Sequence, residues 1–386
     1  MNTNTANRRS KRSSGNPYVF VSYDTSYNAG YVAVVDSRQN ELIQRIPVGI
    51  KPGPMCLNYQ EDKLYVVNID QDFITIIDAY TFEIIKTVHI GGPSAKSAPV
   101  AIFAAAKVNK VYVAHSGDRA VTIIDSVTDK VIKQVDLPSG SGYPFAFAGH
   151  PNSNYVFVAC RAKDNDNGNV VAISYLDDSA YPVGDGIELT FDGSRNPLTV
   201  HPDGHTQVTF GPAGMLTYFD NEFIGSSSTS SLLDNTISGV YTDDKRLFCT
   251  LREDKNYLKI ISNLAINKNG IVTYKSFADF SSYKGQDKIR LSRTQAYIGI
   301  TVQPTDSPRG GVQIIDLNEG FSHLVELDYV GDLAFLDDST AYVGEVTSIT
   351  PIDLATATAL PGIFLGTNFM DLFTVKNIVI GYSNQS

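Results

Sequence analysis

The sequence predicts an all-β chain that closes on itself as a β-propeller of four-stranded blades. One three-part phrase, rich in Val, Ile and Tyr, recurs at intervals of 41 to 52 residues, which is the period of a four-stranded propeller blade. Apolar runs with β-branched residues, rather than clean alternation, indicate sheets that are covered on both faces. No segment longer than about ten residues has a helical period. These three observations together favour the propeller.

The phrase predicts three strands in each unit. It is clearest in two consecutive units, which read Lys63–Asn68, Phe73–Asp78 and 83–90, then Lys110–His115, Ala120–Asp125 and 130–137. The first strand of each unit carries an aromatic residue or its equivalent, which defines eight units: Tyr18, Tyr65, Tyr112, Tyr155, Gln207, Phe248, Tyr297 and Tyr342.

The fourth strand of each unit is expected in the connection that leads to the next phrase. Short apolar stretches follow a Gly- or Pro-containing loop there and end at a polar turn. Their small side chains suit the crowded innermost strand beside a central channel. The clearest examples are residues 99–103, 144–147, 197–200 and 331–335.

The number of blades follows less directly than the fold. Residues 377–382 look like one more first strand, similar to residues 16–23, so the count has one strand too many. Either both termini complete one blade at the ring closure, or a weak unit between residues 205 and 295 is not a blade. Eight blades are favoured and seven are the alternative. In both cases closure removes the sheet edges.

These repeats resemble the YVTN-type (YncE-like) β-propeller family. The resemblance rests on the Tyr-Val-Val-Asn run that ends at Asn68, the Ile-Asp that ends at Asp78, and Gly53-Pro54. It covers about residues 16–382 and implies the propeller fold. It implies little about activity, because propellers with this repeat serve as binding scaffolds, lyases, lactonases and surface proteins. The lyases that resemble this fold use a His and acidic residues around a divalent metal, and the sequence has no recognisable match to that set.

The composition and charge of the chain limit the classes of partner that are expected. The chain of 386 residues has a net charge of −10, which repels phosphate backbones, so no nucleic-acid partner is expected. Four basic residues lie within the first twelve positions, and residues 1–15 are predicted to be a disordered leader before a single propeller domain at 16–386. No signal peptide or transmembrane segment is visible in the chain, so a soluble monomer without a membrane partner is expected, cytoplasmic by default.

Motifs for metals and cofactors are missing from the sequence. Cys56, Cys160 and Cys249 are widely spaced among apolar neighbours, which predicts buried free thiols. Residues 164–168 (Asp-Asn-Asp-Asn-Gly) lack the distal Glu of a calcium loop, so a polar turn is expected. His150 and His201 precede first strands and are expected to be structural. The Asp residues that end the strands are expected to cap turns. No metal site and no cofactor are predicted.

The mouth of the central channel is the expected functional site, because the strand ends and the connections between blades meet there. The sequence predicts a propeller that binds a small molecule, a glycan or a peptide at this mouth. The alternative is a small-molecule lyase, lactonase or cyclase/isomerase that uses the same mouth. The candidate catalytic residues are His115, Asp332, Glu345 and Asp371. The candidate ligand-binding residues are Asn68, Tyr143, Arg161, Arg195 and Arg252.

Asp332 and Asp371 are expected to begin two adjacent inner strands at nearly the same height. If their carboxylates face one another, the repulsion raises one pKa and creates an acid/base pair. The alternative is that each caps its strand or forms an ion pair with Arg252 or Arg161.

Overall fold

Each copy of the recurring phrase folds into three antiparallel strands of one sheet, and the preceding connection supplies the innermost strand. The result is eight four-stranded sheets, numbered here as blades one to eight in chain order. The weak region between residues 205 and 295 forms blades five and six, so the seven-blade alternative is wrong. The computed structural model describes residues 15–25, 29–91, 97–161, 167–188, 197–220, 224–252, 255–304, 310–366 and 374–382.

The first four blades follow one another along the first half of the chain. Blade one contains β1 Pro17–Asp24, β2 Gly30–Asp36 and β3 Glu41–Val48, and blade two contains β4 Pro52–Leu57, β5 Lys63–Asn68, β6 Phe73–Asp78 and β7 Ile84–His89. Blade three contains β8 Pro99–Ala105, β9 Lys110–His115, β10 Ala120–Asp125 and β11 Lys130–Asp136, and blade four contains β12 Tyr143–Gly149, β13 Tyr155–Arg161, β14 Asn167–Ser174 and β15 Ala180–Glu188.

The second half of the chain repeats this order with two irregularities. Blade five contains β16 Leu198–Val200, β17 Thr206–Thr209, β18 Met215–Phe219 and β19 Ile224–Thr229. Blade six contains β20 Thr236–Tyr241, β21 Arg246–Leu251, β22 Tyr257–Ser262 and β25 Ser276–Ser281, with the hairpin of β23 Ala265–Ile266 and β24 Val272–Thr273 inserted. Blade seven contains β26 Gln286–Leu291, β27 Tyr297–Val302, β28 Gly310–Asp316 and β29 Ser322–Leu327. Blade eight contains β30 Leu333–Phe335, β31 Thr340–Gly344, β32 Ser348–Asp353 and a divided outer strand, β33 Thr358–Ala359 with β34 Ile363–Phe364. The closing strand is β35 Thr374–Tyr382, and the helix within the described ranges is a single 3₁₀ turn at Ser231–Leu233.

The ring closes through the C-terminal strand. β35 pairs antiparallel with β1 along its whole length, from Pro17 opposite Tyr382 to Asp24 opposite Thr374. β35 is therefore the inner strand of blade one. The alternative in which both termini complete one blade is confirmed, whereas residues 377–382 are not another first strand. The surplus strand disappears because the N-terminal unit has no inner strand of its own. Blade one thus contains strands from both ends of the chain, and no inner edge is left unpaired.

The eight predicted first strands are all present, but four marker residues do not lie at equivalent positions. Gln207 lies one position before Val208, the residue equivalent to Tyr65. Tyr65 lies opposite Ile76 in the middle of β5 and β6. Tyr18, Tyr155 and Tyr297 instead lie opposite the residue that ends the next strand, two positions earlier. Phe20, Phe157 and Gly299 occupy the positions equivalent to Tyr65. An aromatic residue marks the strand reliably, whereas its place within the strand depends on which neighbour fills the core.

The core consists of the layers between neighbouring blades. Ile74 and Ile76 of blade two pack with Val111 and Val113 of blade three, and all four are fully buried. Val and Ile dominate these layers because branched side chains fill the space between two pleated sheets. The face of each sheet on which a residue lies therefore fixes which neighbouring blade it contacts.

Asp residues cap the turns that follow the third strands, counted from the axis. The Asp78 carboxylate accepts hydrogen bonds from the backbone N–H groups of Tyr80 and Thr81, both at 2.8 Å. Asp36, Asp125, Asp316 and Asp353 accept from the backbone two or three residues ahead in the same way. The predicted capping role is confirmed at these five positions.

The predicted leader and domain boundaries stay predictions, since residues 1–14 lie outside the described ranges. The same holds for most of the predicted polar turn at residues 164–168.

Candidate functional site

The two faces of the ring differ in the loops that they carry. The upper face, as named here, carries the ends of the second strands from the axis and the connections between blades. The lower face carries the turns that join each inner strand to its neighbour. Chain direction places the predicted residues Asn68, His115, Arg161, Arg252 and Glu345 on the upper face at or just after the ends of second strands. Arg195 and Asp371 lie outside the described residues.

His115 is fully enclosed at the upper face. It ends β9, its side chain is fully buried, and its Nδ1 lies 3.1 Å from Oδ1 of Asp118 in the following turn. Its Nε2 has no hydrogen-bond partner, and neither does Oδ2 of Asp118. Buried polar atoms without a partner are rare, because each one costs about 1–3 kcal/mol. The pair therefore presents two unsatisfied buried atoms at the upper face.

The protonation of this pair follows from its surroundings. Burial lowers the pKa of His115, although the carboxylates of Asp118 and Asp72 act in the opposite direction. A neutral imidazole beside a carboxylate donates its Nδ1 proton to that carboxylate, and Nε2 then carries a lone pair. Both free atoms, Nε2 of His115 and Oδ2 of Asp118, are consequently hydrogen-bond acceptors.

Thr122 adds a third unsatisfied atom to this region. It lies on the same face of the blade-three sheet as His115, because Val113 pairs with Thr122 while His115 pairs with Ala120. This face packs against blade two. The Thr122 hydroxyl is buried and has no partner.

The connection that leaves blade two comes close to the same carboxylate. A Cβ added at Gly91, which has a φ of +85°, would lie 3.3 Å from Oδ2 of Asp118 and 1.7 Å from Oγ of Ser97. Glycine is therefore required at this position, both for its backbone conformation and for the close approach. Ser97 in turn donates from its backbone N–H to Asp72, at 2.7 Å. Blades two and three thus form the two walls around the His115 and Asp118 pair.

Sequence reasoning missed Asp118 and Thr122. A comparison of the two clearest repeats carries the signal, since Asn68, Gln71 and Thr75 of blade two are replaced by His115, Asp118 and Thr122 of blade three. In blade two the Asn68 amide donates to the Thr75 hydroxyl at 3.1 Å. Each blade thus forms one internal hydrogen bond among these positions, but blade two leaves one buried atom without a partner, Oδ1 of Asn68, whereas blade three leaves three.

Asp332 lies in an ion pair near the axis. Its Oδ1 lies 2.9 Å from the Arg290 guanidinium, and its Oδ2 accepts from Asn377 at 2.8 Å and from the backbone of Ile378 at 3.1 Å. Burial alone would raise its pKa, but Arg290, Lys288 and two backbone N–H groups outweigh burial and lower the pKa. The Asp332 environment is therefore that of a fixed carboxylate. The predicted pairing with Asp371 stays a prediction, because Asp371 is outside the described part of the chain.

The other predicted residues are spread around the upper face. Tyr143 and Arg161 face each other across β12 and β13, and the Tyr143 ring lies under the Arg119 guanidinium at 4.7 Å. Glu345 accepts a hydrogen bond from the Thr350 hydroxyl. Arg161 and Arg252 are exposed, and Asn68 is buried. Tyr143 and Arg161 are thus brought together, whereas the remaining residues belong to separate blades.

The two histidines at turns lie on the lower face. His201 is buried, its Nδ1 lies 2.9 Å from the Asp203 carboxylate, and its ring packs edge to face against Tyr241 with centroids 5.0 Å apart. His150 accepts a hydrogen bond from the backbone of Asn152. The polar contacts are local to their turns and the Tyr241 ring joins blade five to blade six, which agrees with the expected structural role. Nε2 of His201, like that of His115, has no hydrogen-bond partner.

Metal ligands and reactive thiols are not found at the site. Within the described ranges, no three His, Cys, Asp or Glu side chains are placed to hold a metal ion. All three cysteines are free, and burial raises the pKa of Cys160 and Cys249. The predicted free thiols are confirmed, with Cys56 only partly buried. No helix among the described residues is long and apolar enough to cross a membrane.

Solved structures confirm the fold. The chain is similar to the dihydro-heme d1 dehydrogenase NirN in complex with DHE, with a TM-score of 0.67 and 13% identity over 94% of this chain and 74% of that one. It is also similar to apo AztD from Citrobacter koseri (TM-score 0.65, 11% identity, 96% and 100% covered). A functionally unknown protein from Desulfotomaculum acetoxidans DSM 771 matches with a TM-score of 0.58 and 9% identity over 95% and 99% of the two chains.

These likenesses are too distant in sequence to show more than the fold. No protein-family model and no curated relative matches the chain. The propeller that the YVTN resemblance implies is thus present, while membership of that family is not shown.

Proposed function

We propose that this chain is a ligand-binding propeller whose site lies on the upper face and is centred on His115 and Asp118. The observation that carries the proposal is the pair of unsatisfied acceptors, Nε2 of His115 and Oδ2 of Asp118, held between blades two and three. No protein group donates a hydrogen bond to either buried atom, and an unpaired buried acceptor costs free energy. A ligand that donates to both atoms recovers that free energy.

The acceptors define the ligand's chemistry. Two acceptors and one hydroxyl call for a small molecule with adjacent donors, such as a primary amine or an amine with a neighbouring hydroxyl. A cationic group suits the site further, because Asp72 and Asp118 are both close to His115 and the chain has a net charge of −10. Charge-assisted hydrogen bonds of this kind are stronger than neutral ones.

Among the similar folds, NirN is a propeller solved in complex with DHE, which supports small-molecule binding as a use of this architecture. Arg161, Tyr143, Asn68 and Arg252 remain candidates for the wider rim of the site. A lyase, lactonase or cyclase/isomerase stays a prediction, because its acid/base pair depends on Asp371.

A ligand screen with two histidine variants tests the proposal. Wild type, His115→Gln and His201→Gln are screened by thermal shift against small amines, amino alcohols, carboxylates and sugars. His201 is the matched control, since it is also buried beside an Asp and its Nε2 also has no hydrogen-bond partner, but it lies on the lower face. We expect amines to stabilise wild type and His201→Gln, and not His115→Gln. Equal responses of the two variants, or no response to any amine, would contradict the proposal.

A further inference from the structure

The lower end of the central channel contains a cavity that the upper-face site does not explain. Its volume is about 320 Å³, and it is lined by the inner strands of blades seven, eight and one, where the ring closes. Leu291, Ala334 and Ile380 are partly exposed and form the apolar part of its wall. This volume is at the small end of the range for ligand pockets.

Arg290 provides a hydrogen-bonding group in this wall. Its guanidinium donates to Oδ1 of Asp332 at 2.9 Å and to the Ile289 carbonyl at 3.2 Å. A guanidinium has five N–H groups, so further donors remain after these two bonds. The side chain is 26% exposed and lines the cavity. Asp332 therefore holds the Arg290 side chain in place, while the remaining guanidinium N–H groups are available to a ligand.

An ion pair spans the lower rim of the same cavity. Arg293 of blade seven lies 2.6 Å from Glu61 of blade two, and its guanidinium lies over the Tyr382 ring at 5.3 Å. Both charged side chains are partly exposed, and such pairs contribute little to stability. Breaking this ion pair therefore costs little free energy, so the rim of the cavity can open to admit a ligand.

We propose that this cavity is a second binding site, which takes a small carboxylate with an apolar body. The Arg290 guanidinium binds the carboxylate, and the wall that contains Leu291 and Ala334 packs against the apolar body. The Arg293 and Glu61 pair closes the rim. Asp332 and Glu61 balance the two guanidinium charges, so the choice of an anion follows from the N–H donors that Arg290 keeps after its bonds to Asp332 and Ile289. The Arg fork matches carboxylate geometry in particular. The site lies on the face opposite His115 and does not depend on the proposed function.

Matched carboxylates and alcohols test the chemistry. Benzoate and hexanoate are compared with benzyl alcohol and hexanol on the full chain by calorimetry and ligand-observed NMR. We expect both carboxylates to bind at least about ten-fold more tightly than the alcohols, because the charged partner doubles the strength of the hydrogen bonds. Equal binding of acids and alcohols, or no binding of either acid, would overturn the proposal.

Three variants locate the binding. Ala334→Phe fills the cavity and should abolish carboxylate binding, while Glu61→Gln removes the competing anion and should tighten binding by about five-fold. His115→Gln should leave carboxylate binding unchanged, which separates this site from the upper one. If Ala334→Phe does not fold, Glu61→Gln decides, because its side chain is at the rim. Unchanged affinity in Glu61→Gln, or full binding by a folded Ala334→Phe, would show that the cavity is not the site.

Discussion

Asn377 of the closing strand and Asp332 of blade eight are joined side chain to side chain, with the Asn377 amide donating to Oδ2 of Asp332 at 2.8 Å. The other oxygen of Asp332 meets Arg290 of blade seven, and Oδ1 of Asn377 accepts from the backbone of Met55 in blade two. A continuous polar chain therefore crosses four neighbouring blades at the place where the two ends of the polypeptide meet.

The first prediction concerns this polar chain. Asp332→Asn removes the charge opposite the partly buried Arg290 and should lower the free energy of unfolding by about 3 kcal/mol, because breaking a buried ion pair leaves its partner uncompensated. Asp353→Asn is the control, since Asp353 caps an exposed turn and Asn caps turns equally well. Urea unfolding measures both. Equal midpoints for the two variants would mean that Asp332 is not part of the closure.

The second prediction uses two tyrosines at equivalent positions in blades two and three. The Tyr65 hydroxyl donates to Asp129 at 2.7 Å, whereas the buried Tyr112 hydroxyl has no partner. Tyr65→Phe should cost about 1–2 kcal/mol, and Tyr112→Phe should be neutral or slightly stabilising. Truncation of either ring to Ala should cost about 3 kcal/mol through lost burial. Chemical unfolding of the four variants checks this, and equal losses in the two Phe variants would contradict it.

The third prediction concerns closure. Deleting residues 376–386 removes most of β35 and exposes the inner edge of β1, whose N–H and C=O groups then pair with other molecules. We expect this variant to aggregate, as measured by light scattering. Deleting residues 1–14 should leave the melting temperature unchanged. A large loss of stability from the N-terminal deletion would show that the basic leader is part of the fold.

Individual strands show how much of the fold can be predicted from the sequence. Tyr65 and Tyr112 mark strands because each repeat copies its neighbour, and period alone then fixes the propeller. The role of residues 377–382 was not predictable in this way, because an inner strand and a first strand are both short apolar runs. Only the pairing of β35 with β1 distinguishes them. The register of Tyr18 and Tyr155 was missed for a similar reason, since cross-strand neighbours decide it.

The candidate site was less predictable than the fold. His115 could be selected because it ends a second strand on the expected face. Asp118 was missed because its importance depends on unsatisfied atoms, which the sequence does not show. Asp332 was selected for its position, but its partner Arg290 comes from β26, the inner strand of the neighbouring blade. Inner-strand side chains reach across blades, and repeat spacing carries no information on such contacts.

The fourth prediction concerns pH. The folded-state pKa of His115 is lowered by burial, so below the unfolded value of about 6.5 the unfolded chain binds a proton that the folded chain does not. Stability should therefore fall as the pH drops below about 6.5. Asp332, whose pKa is also lowered, should add a further loss below about pH 4. Melting temperatures from pH 8 to about pH 2 measure both losses. His115→Gln should lose the first phase, and an unchanged profile would contradict the assignment.

The measurement that tests the central claim most directly is nitrogen NMR of the imidazole groups while an amine from the screen is titrated. The chain has six histidines. The imidazole signal that is missing from the spectrum of His115→Gln is assigned to His115. We predict that His115 is neutral with an unprotonated Nε2, and that this nitrogen alone among the histidines shifts strongly as it accepts a hydrogen bond from the amine. A ligand that binds while the His115 signal stays unchanged would contradict the claim that the upper-face site is centred on His115 and Asp118.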